Sequence, residues 1–91
     1  MKKKIKQILL EFLDPKDYRF FVFGSRASGT AGKFSDYDIG ILGKTPLSFE
    51  TLALINEALE DSDLPFRVDV VDFSLVSPGF KKVALSEIKE L

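Results

Sequence analysis

The chain has 91 residues, enough for one domain, and 45% of them are apolar, including nine Phe, so it can build a core and is not a disordered segment. The 13 basic and 14 acidic residues leave a net charge of -1, without the basic excess expected of a duplex nucleic-acid binder. There is no Cys and no His, which excludes disulfides, thiolate or imidazole metal sites and His-dependent triads. Any metal has to be held by oxygen, which favours magnesium, manganese or calcium.

No run approaches the ~20 apolar residues of a membrane span. Lys6, Gln7 and Glu11 interrupt the stretch after the N-terminal Met-Lys-Lys-Lys, so it does not read as a signal peptide. Lys2 to Lys4 read as a solvated helix start. The expectation is a cytoplasmic protein with no membrane contact.

Ile5, Ile8, Leu9 and Phe12 recur at helical spacing and predict a first helix ending near Leu13, before Asp14-Pro15. Tyr18 to Phe23 is an aromatic and β-branched run that predicts a buried strand. Gly24 ends it, and Ser25 can cap a short helix through about Ser28. Residues 29–35 are rich in Gly and small polar residues and read as a loop. Asp38 to Leu42 reads as a second strand. Thr45-Pro46 opens a second long helix with Leu52, Ile55 and Leu59 inward, ending near Asp61-Ser62-Asp63. Arg67 to Val71 reads as a third strand. Ser77-Pro78 starts a last helix carrying Phe80, Val83, Ala84, Ile88 and Leu91 on one face. The expected fold is α/β (α+β), a single domain over residues 1–91 with a small three-stranded mixed sheet flanked by helices.

Three groups in this frame carry chemistry. Gly24-Ser25 lies at a strand-to-helix turn, where Gly permits close backbone approach and the free amides favour an anion. Many strands end this way, so the turn alone is weak evidence. Asp36 and Asp38, at spacing i, i+2, project to the same side of a strand. Two carboxylates so placed repel unless a cation sits between them, and magnesium carrying a nucleotide is the obvious one. The alternative is one N-terminal cap residue and one exposed edge carboxylate. Asp69 lies inside Arg-Val-Asp-Val-Val, pointing with Arg67 and Val71 and away from Val68 and Val70. If its strand lies beside the second, it meets Asp36 and Asp38. Asp72 points the other way and reads as a cap or surface residue.

Phe-Gly-Ser-Arg-Ala-x-Gly followed by Ser-Asp-x-Asp-Ile and, later, Val-Asp-Val-Val-Asp resembles the minimal nucleotidyltransferase (MNT) family of the polymerase-β superfamily. The resemblance covers residues 21–42 and 66–72, and it extends to the small MNT proteins paired with HEPN-domain proteins as toxin–antitoxin systems. It implies the nucleotidyltransferase fold and transfer of a nucleoside monophosphate, AMP from ATP in the first instance, to a hydroxyl. It implies that Gly24 and Ser25 hold the β- and γ-phosphates, with Arg26 either steadying a phosphate or making a surface salt bridge. Asp36, Asp38 and Asp69 would hold two magnesium ions, with manganese as a possible substitute, and Asp69 would help deprotonate the acceptor. The implied partner is a HEPN-type protein in a hetero-oligomer, with a tyrosine hydroxyl as the expected acceptor. Larger relatives carry an extra domain for the acceptor, for which a chain of this length leaves no room. The first and last helices, through residues such as Phe80 and Ile88, are the expected docking surfaces. The alternative function is a non-catalytic nucleotide-binding antitoxin that neutralises its partner by direct binding.

Overall fold

The computed structural model describes residues 2–29 and 36–91, and the side chains of Lys2, Ser25 and Ser28 lie outside that description. The elements run α1 (Lys2–Leu10), β1 (Tyr18–Phe23), α2 (Ser25–Ser28), β2 (Tyr37–Gly43), α3 (Phe49–Glu60), β3 (Val68–Asp72), α4 (Pro78–Leu85) and β4 (Lys89–Glu90). The α+β architecture, a mixed sheet flanked by helices, is the one expected. The sheet has four strands rather than three, in the order β3-β2-β1-β4. β1 runs antiparallel to β2 and β4, while β2 and β3 are parallel, with α3 as their crossover.

Strand parity divides the core in two. Phe20, Val22, Tyr37, Ile39 and Ile41 turn to one face, where they pack against Ile5 and Leu9 of α1 and Ile55 and Leu59 of α3. Val68 and Val70 of β3 join that cluster. The other face is aromatic: Phe21 and Phe23 meet Phe73, which follows β3, with Val71, Val76, Ala84, Leu85 and Ile88 around them. Phe21 and Phe73 stack edge-on with centroids 4.8 Å apart. Gly40 faces this cluster, and a side chain there would collide with both rings. The first face is closed by two long amphipathic helices. The second is covered by the short α4, and Asp38 and Asp69 lie on it.

Two helix boundaries that differ from expectation are set by hydrogen bonds. α3 begins at Phe49 rather than at Pro46. Asp72 Oδ2 accepts the Leu47 N–H at 2.7 Å, which holds Leu47 out of the helix, and Ser48 then caps it by accepting from Thr51 N at 3.1 Å. α4 starts as expected, with Ser77 as cap and Pro78 in the first turn, but ends at Leu85. Ser86 folds back, donating from its backbone N and Oγ to Val83 O. Ile88 and Leu91 are therefore not on the last helix. Ile88 packs against the Phe21, Phe23 and Phe73 cluster, and Leu91 N donates to Phe20 O at 3.3 Å as β4 joins the sheet. Arg19 Nε donates to Glu90 Oε1 at 2.8 Å across the same pair of strands.

Asp72 is the one buried charged side chain among the described residues, so its cap reading holds and its surface reading does not. Besides Leu47 N, it accepts from Ser74 N at 3.0 Å and Ser74 Oγ at 2.6 Å. At the surface, Lys4 pairs with Asp63, tying α1 to the chain after α3 and lowering the Asp63 pKa through that hydrogen bond. No helix among the described residues is long and apolar enough to cross a membrane.

Candidate active site

The site is built where β1 ends, β2 begins and β3 runs alongside. The register aligns Phe23 with Asp38, and Asp38 with Asp69, so these three residues form one row across three strands on the aromatic face. Parity sends Asp38 and Asp69 to the same side. Asp36 stands exposed one residue ahead of β2, and Asp38 is half-buried. The Asp38 carboxyl is pushed above its ordinary value by burial first, then by the charge of Asp69, then by that of Asp36. The other two carboxylates of the sequence reading therefore both act on Asp38.

Gly24 closes the other side. It follows β1 with φ of 73°, a conformation that costs an L side chain about 1–2 kcal/mol. A Cβ there would stand 2.5 Å from Asp38 Oδ2. The glycine therefore lets the chain reverse into α2 and leaves the Asp38 carboxylate room against the backbone. The Ser25 side chain lies outside the described residues, as does the loop reading for residues 30–35.

Arg26 lies over two aromatic rings. Its guanidinium lies 4.1 Å from the Tyr37 ring centroid and 5.2 Å from that of Phe66. Tyr37 packs with the α1–α3 core, on the opposite side of β2 from Asp38. Tyr37 and Phe66 are themselves 4.5 Å apart, so the three groups clamp α2 to the strands. Arg67 was not singled out from the sequence. Its Nε lies 3.0 Å from Asp69 Oδ1, both groups being substantially exposed. Their i, i+2 spacing on one strand face was the available signal.

The donor set suits a hard divalent ion: it is all carboxylate oxygen, concentrates repulsive charge at Asp38, and is flanked by a backbone cradle that a Cβ would fill. Among the described residues, no three acidic side chains stand close enough to cage an ion by themselves. A bound phosphate would have to complete the coordination.

The chain is similar to known proteins in sequence and in fold. The family model described as polymerase beta, nucleotidyltransferase matches residues 3–91. The probable protein adenylyltransferase MntA of Haemophilus influenzae is 40% identical over 79 residues, spanning 87% of this chain and 68% of the relative. The crystal structure of a toxin–antitoxin with AMP-PNP is similar, with a TM-score of 0.78 and 28% identity over 97% of this chain and 69% of that one. A mutant MntA–HpeT toxin–antitoxin structure gives 0.79 at 26% identity, over 99% of this chain and 71% of that one.

Proposed function

The chain belongs to the polymerase β nucleotidyltransferase family, and on that premise we propose a metal-dependent adenylyltransferase that moves AMP from ATP to a hydroxyl of a HEPN-type toxin, thereby acting as its antitoxin. The observation that carries this reading is the row joining Asp38 to Asp69, with Asp36 raising the same charge and Gly24 open beside it. The similarity to a protein adenylyltransferase and to toxin–antitoxin structures, one with an ATP analogue, supports the choice of nucleotide and partner.

Each residue then has a task. The backbone of Gly24 and Ser25 receives the β- and γ-phosphates at the start of α2. Arg26, stacked on Tyr37 and Phe66, braces α2 so that this turn keeps its place. Asp36, Asp38 and Asp69 hold two magnesium ions, for which manganese can substitute. When bound, the ions neutralise charge on the α-phosphate and the departing pyrophosphate. Asp69 lies on the edge strand β3, open to an incoming acceptor, and takes the proton from its hydroxyl. The acceptor oxygen bonds to the α-phosphorus, the bond from that phosphorus to the bridging oxygen breaks, and pyrophosphate leaves. The acceptor is a tyrosine of the toxin within a hetero-oligomer. The need for ATP assigns this work to the cytoplasm.

The test uses the chain, magnesium, its HEPN-type partner and ATP labelled at either the α- or the γ-phosphate. The α-label should move to the partner and the γ-label should not. Transfer of the γ-label, or of neither, would reject the reading.

A further inference from the structure

A cavity of about 460 Å³ opens on the carboxylate face of the sheet, within the range of roughly 300–1,000 Å³ typical of small-molecule sites. Phe23, Gly24, Phe80 and Val83 line it. Phe80 is 47% exposed and Val83 74%, large apolar groups left open in a concave wall. The Phe80 ring stands at 90° to that of Phe23, with centroids 6.2 Å apart.

Two residues join this cavity to the carboxylates. Phe23 is the register partner of Asp38. Gly24 lines the cavity, and its absent side chain is what leaves room for Asp38 Oδ2. The face therefore offers a mainly apolar recess, lined also by Ser86 and Glu87, at one end of the row and a cation-seeking acidic cluster at the other. A nucleoside triphosphate has the matching ends, a flat ring and a metal-bearing polyphosphate.

We infer that this cavity seats the nucleobase of the triphosphate, with its ring against the exposed face of Phe80. This assignment rests on the nucleotide reading above and deepens it by naming the residues that recognise the base. Phe80 touches the base and takes no part in the chemistry. Stacking of a base on an aromatic side chain is worth enough that its removal weakens binding about tenfold or more. The place of the cavity beside Asp38, through Phe23, favours the base over the two other occupants, a partner protein and a second copy of this chain.

The experiment is calorimetric titration of the full chain, in magnesium, with ATP and separately with inorganic tripolyphosphate, which has the phosphates and no base. ATP should bind more tightly than tripolyphosphate. Phe80→Ala should reduce ATP affinity about tenfold and leave tripolyphosphate affinity unchanged. Phe80→Leu keeps the apolar contact with Phe23 and removes the stacking ring, so it should act in the same direction if the alanine variant fails to fold. Equal binding of the two ligands by the unaltered chain, or equal weakening of both by the variants, would overturn the base assignment. So would variants that lose only partner binding or self-association. Failure of the unaltered chain to bind either ligand would reject the nucleotide reading itself, and this assignment with it.

Discussion

The carboxylate of Asp38 occupies the space that a side chain at Gly24 would need: a Cβ there would stand 2.5 Å from Oδ2. The turn that begins α2 and the acidic row of the sheet are therefore one unit, and changes in either should be felt in both.

Gly24→Ala tests that unit, with Gly29→Ala as its control. Both glycines have positive φ, 73° and 81°, so each alanine bears a conformational cost of about 1–2 kcal/mol. Only Gly24 also meets Asp38; at Gly29 no described residue lies within 4 Å of the added Cβ. Thermal melts should show Gly24→Ala losing more than Gly29→Ala, at roughly 4–8 °C per kcal/mol for a domain of this size. Nucleotide transfer should fall sharply in Gly24→Ala. Equal melting losses would mean that Asp38 does not press on the turn.

Asp38 makes stability fall as pH rises. Its folded pKa lies above the ordinary value of 3.8, so the folded state holds the proton more tightly than the unfolded chain. Stability is lost as pH climbs from the unfolded pKa through the raised folded one, and the penalty is complete above it. Without metal, Asp38→Asn should therefore melt above the unaltered chain at neutral pH, with the gain vanishing below that window. Asp63 works in the opposite sense: its lowered pKa contributes stability above its unfolded value, lost as pH falls through the folded one. Melting curves across pH for Asp38→Asn check the first sign. A neutral-pH loss would contradict it.

Asp72 has a purely structural task. Asp72→Ala strands the Leu47 and Ser74 N–H groups and should cost about 1–3 kcal/mol in urea unfolding. The folded fraction should still bind magnesium-ATP. Loss of binding with stability preserved would place Asp72 in the site instead.

Magnesium and ATP should stabilise the chain more together than the sum of either alone, because the described carboxylates form no complete cage without phosphate. At ligand concentrations of about a hundred times Kd the gain is about 2.7 kcal/mol. Replacing both Asp36 and Asp38 with Ala should abolish the synergy. A shift that ATP produces equally without magnesium would contradict it.

Much of this arrangement was legible in the residues. The run Tyr18 to Phe23 has one reading as a strand, and Ser25 to Ser28 one as the turn of helix after it. Strand parity alone set Asp69 apart from Val68 and Val70, and the pairing of β3 with β2 puts it beside Asp38. What escaped depends on contacts distant in sequence. A strand as short as Lys89–Glu90 has no periodicity to detect, and it forms because Ser86 ends α4 and Ile88 finds the Phe21 cluster. The start of α3 is set by Asp72, 25 residues beyond Leu47. Nothing local announces that Tyr37 and Phe66 close on the Arg26 guanidinium.

Intact mass of the HEPN-type partner, co-expressed with this chain and incubated with ATP and magnesium, tests the central claim most directly. The unaltered chain should add the mass of AMP to the partner. Asp69→Asn is nearly isosteric and should reduce the modification rate by about a hundredfold or more while leaving the complex intact on size exclusion. An unmodified partner with the unaltered chain, or near-normal modification by Asp69→Asn, would contradict transfer through the Asp36, Asp38 and Asp69 row.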